Sequence, residues 1–377
     1  MKKKLSSLTF FASLFLFVVF FAHSQAAEEI FLPASCPKSG LIVFPDDTRN
    51  VNGMALLGEM IDCAKTKIDL VMYTLTSDML VDKLVTARTR GVAVRVIKEM
   101  KVFQYPGKTV PDADKDPQLQ KLRNAGIEIH SLPKRFSDIS DKAQAHHKVL
   151  LVDDQYAVVM STNWDIGSAY ITRDFGLVLT KEKHAAELTE IQAVFEADWN
   201  NVVITPQNPN LVWGPDNQIQ KLHALIESAT HSISIYQQGF SDPDMTTLLC
   251  TKAKAGLKVN LLMGPFPFNG DKDVNNPCQE QLIQAGGEVR FNTDHYMHPK
   301  VVVIDDKVAC IGSCNFYPPS LKYNREVGVI TADPAVLADF LGTFIADWAG
   351  AKSFEEGRSI RVNWAQIVEE RKARAAH

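Results

Sequence analysis

Two short segments carry the residues with chemistry to offer. His146-His147-Lys148, four apolar residues and Asp153 form one; His298-Pro299-Lys300, four apolar residues and Asp305 form the other. Ser161 and Ser313 each follow thirteen residues after their lysine, and Asn163 and Asn315 two further on. Eleven beyond each asparagine stands an acid, Asp174 or Glu326, behind Arg173 or Arg325. Imidazoles with an unperturbed pKa of about 6.5 exchange protons near neutrality. Lysine, hydroxyl and amide donors at this density suit the oxygens of a phosphate. The set therefore points to nucleophilic and acid–base chemistry on a phosphoryl group. No cluster of carboxylates, His or Cys reads as a divalent-metal site, and neither metal nor cofactor is expected.

Strands must position these groups. Residues i and i+2 share a face of a strand, so His146 projects with Lys148, and Ser161 with Asn163. A hairpin turning between Asp154 and Gln155 puts Lys148 opposite Ser161 and His146 opposite Asn163. The second half gives the same register about Asp306 and Lys307. Asp153 and Asp305 have the opposite parity to the lysines, which assigns them to the turn. VLLV at 149–152 and VVVI at 301–304 read as buried strand cores.

The chain is internally duplicated. LIVFPD at 41–46 is echoed by LVWGPD at 211–216, ARTRGVAVRVI at 87–97 by AKAGLKVNLLM at 253–263, and FEADW at 195–199 by FIADW at 344–348. Each half reads β-α-β-α-β-β-β-α, an alternation that argues for an α/β fold with helices covering sheets. The offset falls from 165 residues at Gly91 and Gly256 to 152 at the histidines. The first half thus carries extra residues, in loops around 103–117 and 133–145, which read as candidate lids or substrate loops. The boundaries drawn are 1–26, a signal peptide; 27–202 and 203–349, the two halves; and 350–377, a helical tail.

The signal peptide rests on Lys2-Lys3-Lys4, an uncharged run from Leu8 to Ala22 and small residues near Ala26. An uncleaved anchor is the less favoured alternative, the run being short for a span of about 20 residues. Cleavage removes three lysines and no acid, taking the net charge from -4 to -7. With 46% hydrophobic and 22% charged residues, the chain is neither disordered nor fibrous nor a polytopic membrane protein. An oxidising compartment permits disulfides, with Cys36–Cys63 and Cys250–Cys278 as candidate pairs. Cys310 and Cys314 read as core thiols.

Two copies of H-x-K-x4-D, each with its downstream Ser and Asn, resemble the phospholipase D superfamily, over nearly the whole mature chain. The resemblance implies two mixed sheets flanked by helices, packed about a pseudo-two-fold axis with the motifs facing one cleft. It carries over His146, Lys148, Asp153, His298, Lys300 and Asp305 as the catalytic motifs, with His146 as nucleophile and His298 as acid. It implies that Lys148, Lys300, Asn163 and Asn315 stabilise phosphoryl oxygens, with Ser161 and Ser313 beside them on the substrate, and that Asp174 and Glu326 orient the imidazoles. The two imidazoles must then start in opposite protonation states, in different environments. The first half departs from the pattern in having Met160 where glycine precedes serine, and Asp174 where the second half has Glu326.

Other residues divide between bland and functional readings. His147 reads as a strand residue facing away, His295 as loop, and Trp199 and Trp348 as core. Trp164, Phe316 and Tyr317 read equally as core or cleft mouth. Phe266 and Phe268 read as loop packing, or as contacts to acyl chains or bases. The expected substrate is a glycerophospholipid, met in transient contact with a membrane surface and without an obligate protein partner. A metal-independent exported nuclease is the alternative, with Lys101, Lys108, Lys134 and Arg135 as its groove cations. A non-catalytic phosphate or head-group binder is the second alternative.

Overall fold

A computed structural model describes residues 36, 38–45, 53–100, 116–268 and 271–375. The signal-peptide segment, Lys101, Lys108 and nearly all of the 103–117 loop lie outside the described residues. In the first half β1 (Gly40–Phe44), α1 (Gly53–Cys63), β2 (Lys67–Met72), α2 (Asp78–Thr89), β3 (Ala93–Lys98), α3 (Pro117–Asn124), β4 (Glu128–His130), α4 (Lys134–Ser137), β5 (Val149–Val152), β6 (Tyr156–Met160), α5 (Ile166–Tyr170), β7 (Thr172–Thr180) and α6 (Lys181–Trp199) follow in order. The second half runs β8 (Leu211–Gly214), α7 (Gln218–Glu227), β9 (Ser232–Tyr236), α8 (Pro243–Lys254), β10 (Lys258–Met263), α9 (Asn276–Gln284), β11 (Glu288–Phe291), β12 (Tyr296–Met297), β13 (Val301–Ile304), β14 (Val308–Gly312), α10 (Pro318–Lys322), β15 (Glu326–Thr331) and α11 (Pro334–Gly350). Behind it come β16 (Lys352–Ser353), α12 (Phe354–Gly357) and α13 (Trp364–Ala375).

Each half is longer than the order read from the sequence. Helix α3 or α9 and its short strand, β4 or β11, extend the sheet edge. A three- or four-residue strand shows too little alternation to announce itself. Strands β7 and β15 are masked in sequence by the charged residues at their starts, Arg173-Asp174 and Arg325-Glu326.

Both sheets are mixed. In the first, β2, β3 and β4 are parallel, β5 runs antiparallel to β2, and β5, β6, β7 and β1 continue antiparallel. The second repeats this with β9, β10, β11 and then β13, β14, β15 and β8. The inner faces of the two sheets pack together. Val149 and Leu151 point into that shared core with Val301 and Val303, while Leu150 and Val152 point outward under the helices, as a period of two requires. Phe175, Tyr236, Phe340 and Phe344 fill the shared core with ring centroids 5.1–6.1 Å apart.

Local signals set the helix ends. Asp242 and Asp333 cap α8 and α11 through their side chains, each followed by proline at the first helical position, where its missing N–H costs nothing. Gly91 and Gly256 close α2 and α8 with φ of 95° and 90°, a left-handed conformation that glycine adopts without strain.

The hairpin register differs from the expectation by one residue. Val152 pairs with Tyr156 and Val149 with Val159. The second hairpin matches, with Ile304 paired to Val308 and Val301 to Ile311. The turns hold three residues, opening with Asp153 and Asp154, or Asp305 and Asp306, at positive φ. Lys148 therefore lies opposite Met160, whose N–H bonds its carbonyl at 3.1 Å, and not opposite Ser161.

The disulfide Cys36–Cys63 is present. The pairing Cys250–Cys278 is corrected: both are free, buried thiols, packed into the apolar core under α8 and α9. Cys310 and Cys314 are free and buried as well. Among the described residues, no helix is long and apolar enough to cross a membrane.

Candidate active site

The two motifs exchange partners between halves. After β11 the chain crosses to the first sheet, where β12 pairs in parallel with the start of β7, Met297 against Arg173. His298 N–H then donates to the Arg173 carbonyl at 3.2 Å. In return, Ala145 bridges to Arg325, and the N–H groups of His146 and His147 donate to the Arg325 carbonyl at 3.0 and 2.8 Å. Each histidine thus hangs at the start of the strand that carries the other half's acid.

The side chains follow. His146 Nδ1 lies 2.8 Å from Glu326 Oε2, and His298 Nδ1 lies 3.1 Å from both carboxylate oxygens of Asp174. A carboxylate on Nδ1 fixes that nitrogen as the protonated one and leaves Nε2 with its lone pair. Both imidazoles therefore present Nε2 as the reactive atom.

The serines are placed differently from the expectation. Ser161 Oγ donates to Asp174 Oδ1 at 2.5 Å and accepts from Phe175 N–H at 3.0 Å. Ser313 Oγ does the same with Glu326 Oε2 at 2.6 Å and Val327 N–H at 3.0 Å. Both hydroxyls are buried behind the acids. They hold the carboxylates, which hold the imidazoles, and their donors are committed away from a substrate. Met160 in place of glycine does not disturb this. It faces Gly176 across the ladder and buries its side chain in the outer core. Gly312 is required where it stands, because a Cβ there would meet the Val327 carbonyl oxygen at 2.1 Å.

The acids differ more than their lengths. The second oxygen of Glu326 accepts from Ser320 Oγ at 2.6 Å and Asn324 Nδ2 at 3.3 Å. Its histidine and its hydrogen-bond donors hold its carboxyl below the ordinary value against the cost of burial. Asp174 divides its oxygens between His298 and Ser161.

The asparagines sit at equivalent loop positions. Asn163 Oδ1 accepts from Thr74 N–H at 3.4 Å and Asn315 Oδ1 from Gly239 N–H at 3.2 Å. The backbone so holds the carbonyl end of each amide. Asn315 is fully buried, and its Nδ2 has no acceptor among the described residues. An unsatisfied buried donor costs about 1–3 kcal/mol, and a phosphoryl oxygen would relieve that cost.

Lys148 and Lys300 donate to the carbonyls of His146 and His298, two residues back in the segment that leads into β5 or β13. Burial is the main force on both. It outweighs the attraction of Glu326 and Asp174 and lowers the Lys148 pKa to about 8 and that of Lys300 to about 7. Burial likewise lowers both imidazoles, His146 and His298, to about 4, against the attraction of their carboxylates. Each histidine also feels the other half's lysine, so the two motifs share one electrostatic field. Desolvation is the largest influence on each and lowers both, so burial by itself does not set the two imidazoles apart.

Asp153 and Asp305 take no place in this cluster. They lie five residues beyond the lysines, about 17 Å along an extended strand. Asp153 accepts from the N–H groups of Lys65, Thr66 and Lys67 and the Thr66 hydroxyl at 2.7–2.9 Å. Asp305 does the same for Thr230, His231 and Ser232. They tie the hairpin turn to the start of β2 or β9, so the geometry corrects their grouping with the catalytic residues.

Tyr73, Gln238 and Tyr296 were missed by sequence reasoning. The Tyr73 ring meets His146 edge-on at 4.9 Å and lies under Lys148 at 5.3 Å. Tyr296 stacks on His298 at 6.3 Å and accepts from Gln238 Nε2 at 2.8 Å. Gln238 occupies in the second half the position of Tyr73 in the first, so the duplication gave no signal for them.

His147 points into the interface, 6.5 Å from the Trp213 ring and 3.7 Å from Asp198. His295 is in the loop before β12. Trp164 and Phe316 are buried and bridge to Leu75 and Phe240. Trp199 and Trp348 flank the shared core. Phe266 carries Arg361 on its face and Phe268 meets Tyr317 edge-on. Arg135 is committed to Asp198, while Lys134 is exposed.

Comparisons with known proteins agree with this geometry. The family described as cardiolipin synthase, PLD-like domain, matches residues 57–199 and 222–348, one stretch in each half. Cardiolipin synthase 2 of Bacillus anthracis is 27% identical over 364 residues, covering 85% of this chain and 67% of that protein. A cardiolipin synthase of Geobacillus sp. (strain WCH70) is 27% identical over 325 residues, 75% of this chain and 62% of that one. The chain thus spans about two thirds or less of the length of these curated relatives. Phosphatidylserine synthase of Haemophilus influenzae Rd KW20 shares the fold, with a TM-score of 0.63, 13% identity and coverage of 86% of this chain and 91% of that one. Polyphosphate kinase of Porphyromonas gingivalis gives 0.62, 16%, 90% and 56%. Two matched domains, two reciprocal His–acid pairs and this fold make the chain a member of the phospholipase D superfamily, in the family of cardiolipin synthase PLD-like domains.

Proposed function

We propose that this chain is an exported phospholipase D-type phosphodiesterase that cleaves glycerophospholipids through a phosphohistidine, releasing the phosphatidyl group to water or to an acceptor alcohol. The observation that carries the reading is the pair of imidazoles, each held at Nδ1 by the other half's carboxylate and so presenting Nε2. His146 Nε2 attacks phosphorus while the bond from phosphorus to the head-group oxygen breaks. His298 Nε2 gives that oxygen its proton. In the second step His298 takes the proton of the incoming water or alcohol, whose oxygen attacks phosphorus as the P–N bond breaks. Lys148, Lys300 and the amides of Asn163 and Asn315 stabilise the phosphoryl oxygens.

The free protein has a neutral His146, the form a nucleophile needs. The acid's proton must then come with binding. A phosphodiester anion entering a desolvated site raises the pKa of every neighbouring cation-former, which recharges Lys300 and favours a proton on His298. Export rests on the N-terminal pattern, and protein recovered from the cell envelope should begin at Ala27.

The test is turnover by the mature chain without added metal, on mixed phospholipid vesicles and on single-stranded DNA, with His298→Ala as control. Head-group release with intact DNA supports the reading. DNA cleavage with intact lipid overturns it. The ratio of phosphatidic acid to phosphatidyl-alcohol products then separates hydrolysis from transfer.

A further inference from the structure

The C-terminal segment reaches the His298 side of the site and touches both halves. Strand β16 first extends the second sheet, Ser353 pairing with Arg290, and Phe354 stacks on Phe291. Asn363 caps α13 through its side chain, accepting from Gln366 N–H at 3.3 Å. Trp364, the first residue of that helix, meets the Tyr296 ring edge-on at 5.8 Å. One turn from the end of α13, Arg371 donates to two carbonyls: Tyr170 in the first half at 2.8 Å, and Asp294 in the second at 3.0 Å.

Those contacts lead inward. Arg371 holds the chain at Asp294, two residues before Tyr296, and Trp364 meets the Tyr296 ring itself. Tyr296 stacks on His298, donates its hydroxyl to the Pro267 carbonyl at 2.8 Å and accepts from Gln238. Gln238 Oε1 in turn lies 3.4 Å from Lys300 Nζ. The route from Trp364 to the imidazole and ammonium groups of the second motif is therefore unbroken. Among the described residues the first half has no equivalent segment behind its last helix, since the chain after Trp199 leads straight on to β8. Gln144 and Tyr73 stand at the positions of Tyr296 and Gln238 in the second half, so the two motifs have different residues at these equivalent places.

We propose that the segment from Arg361 to Arg371 is a strap that positions Tyr296 and Gln238 as the wall of the alcohol-binding side of the cleft, and so sets whether water or an alcohol takes the phosphatidyl group. This rests on the reading above, in which His298 protonates the leaving alcohol and deprotonates the incoming one. Whatever stands over His298 meets the alcohol and not the acyl chains. Two rings in edge and stacked contact exclude water from that imidazole. The Gln238–Tyr296 pair keeps polar groups at the rim for hydroxyls of a small polyol. Tyr296, Gln238, Trp364 and Arg371 are positioning residues, acting through His298 and Lys300.

The experiment uses the full mature chain with phosphatidylglycerol vesicles and a fixed concentration of isotopically labelled glycerol, so that transfer appears as labelled phosphatidylglycerol and hydrolysis as phosphatidic acid. Trp364→Ala, Trp364→Phe and Arg371→Ala are compared with Glu369→Ala, a surface control on the same helix. The expected result for Trp364→Ala and Arg371→Ala is a shift of about fivefold or more toward phosphatidic acid over glycerol transfer. The KM for phospholipid and the melting midpoint stay put, and Trp364→Phe restores the ratio. A ratio unchanged while turnover and midpoint fall together would show a merely structural tail and overturn the proposal. The His298 and His146 imidazole 15N shifts are read in the same variants. A change confined to His298 supports the strap even if lipid turnover fails in the parent chain, an outcome that sinks the functional reading instead. Shifts that move at both histidines or neither overturn the strap.

Discussion

His146 Nδ1 rests 2.8 Å from Glu326 Oε2, a partner 180 residues further along the chain and in the other half. The reciprocal pair joins His298 to Asp174, 124 residues earlier. Neither half alone contains a complete His–acid unit. The crossing arises because each histidine segment pairs with the opposite β7 or β15 strand, and a strand's side chains follow its backbone.

The crossing makes the first prediction. Glu326→Gln should perturb the imidazole of His146, and Asp174→Asn that of His298. In each case the named histidine loses its fixed tautomer, and its pKa falls further as an attracting charge is removed. Turnover should drop by about 10²–10⁴, the scale seen when the orienting acid of a triad is neutralised. Nitrogen-15 spectra of the two imidazoles provide the check. A perturbation confined to the histidine of the mutated half would contradict the crossed arrangement.

A second prediction concerns pH. In the free protein Lys300 titrates at about 7 and Lys148 at about 8. Rising pH strips their protons and with them the charges that attract a phosphodiester. The profile of kcat/KM, which reports the free enzyme, should therefore fall between about pH 7 and pH 8. Its acid limb lies near pH 4, where the imidazoles gain protons. The profile of kcat should hold up to higher pH, because a bound anion raises the lysines. Lys300→Arg keeps its charge throughout and should move the alkaline limb of kcat/KM upward. A kcat/KM flat from pH 6 to 9 in the parent chain would mean that the lysines stay charged without substrate.

Much of this site was legible because it was written twice. The spacing from His146 to Asp174 recurs from His298 to Glu326, and strand parity separates the lysines from Asp153 and Asp305. The register was misread because the turn's extra residue depends on two aspartates at positive φ, a conformation more typical of glycine. The role of Ser161 and Ser313 was misread for the same reason, since a shift of one residue exchanges the faces of a strand. Tyr73, Gln238 and Tyr296 could not be found by repeat comparison, because the halves differ at those positions. The partner of each acid was illegible in principle: spacing within a half says nothing about a strand crossing between halves.

The third prediction separates the motif aspartates from the chemistry. Asp305→Ala orphans three backbone N–H groups and one hydroxyl at the α7–β9 junction. The loop is open enough for water to replace the lost acceptor, so the loss should be about 1–2 kcal/mol. Turnover measured well below the melting midpoint should survive. These donors hold the Asp305 carboxyl below its ordinary 3.8. A depressed carboxylate stabilises the fold above the unfolded value and loses that contribution as pH falls through the folded one. The gap in midpoint between parent and Asp305→Asn should accordingly be constant above about pH 5 and shrink below the ordinary carboxyl value of about 3.9. Abolished turnover at an unchanged midpoint would return Asp305 to the reacting groups.

The last prediction tests what holds the halves in register. Asp347 in α11 accepts from Arg173 Nε at 2.8 Å, Arg173 Nη2 at 3.0 Å and the Tyr236 hydroxyl at 2.6 Å, all buried in the shared core. Asp198 in α6 plays the mirrored part for Arg325, with Nε at 2.9 Å. These arginines precede the orienting acids, and their carbonyls carry the histidine N–H groups. Removing Asp347 leaves a guanidinium and a phenol buried without their acceptor, a loss of about 3–5 kcal/mol for a broken buried pair. Asp347→Ala should therefore lower the midpoint by several degrees while unfolding stays a single transition, because the shared core belongs to both halves. Arg173 also carries β12, so turnover should fall below the melting range as well, with the His298 imidazole signal broadened before that of His146. Asp198→Ala should reverse the order, through Arg325 and His146. Equal broadening of both histidines in both variants would mean that the two ion pairs brace the interface as a whole and do not set each histidine separately.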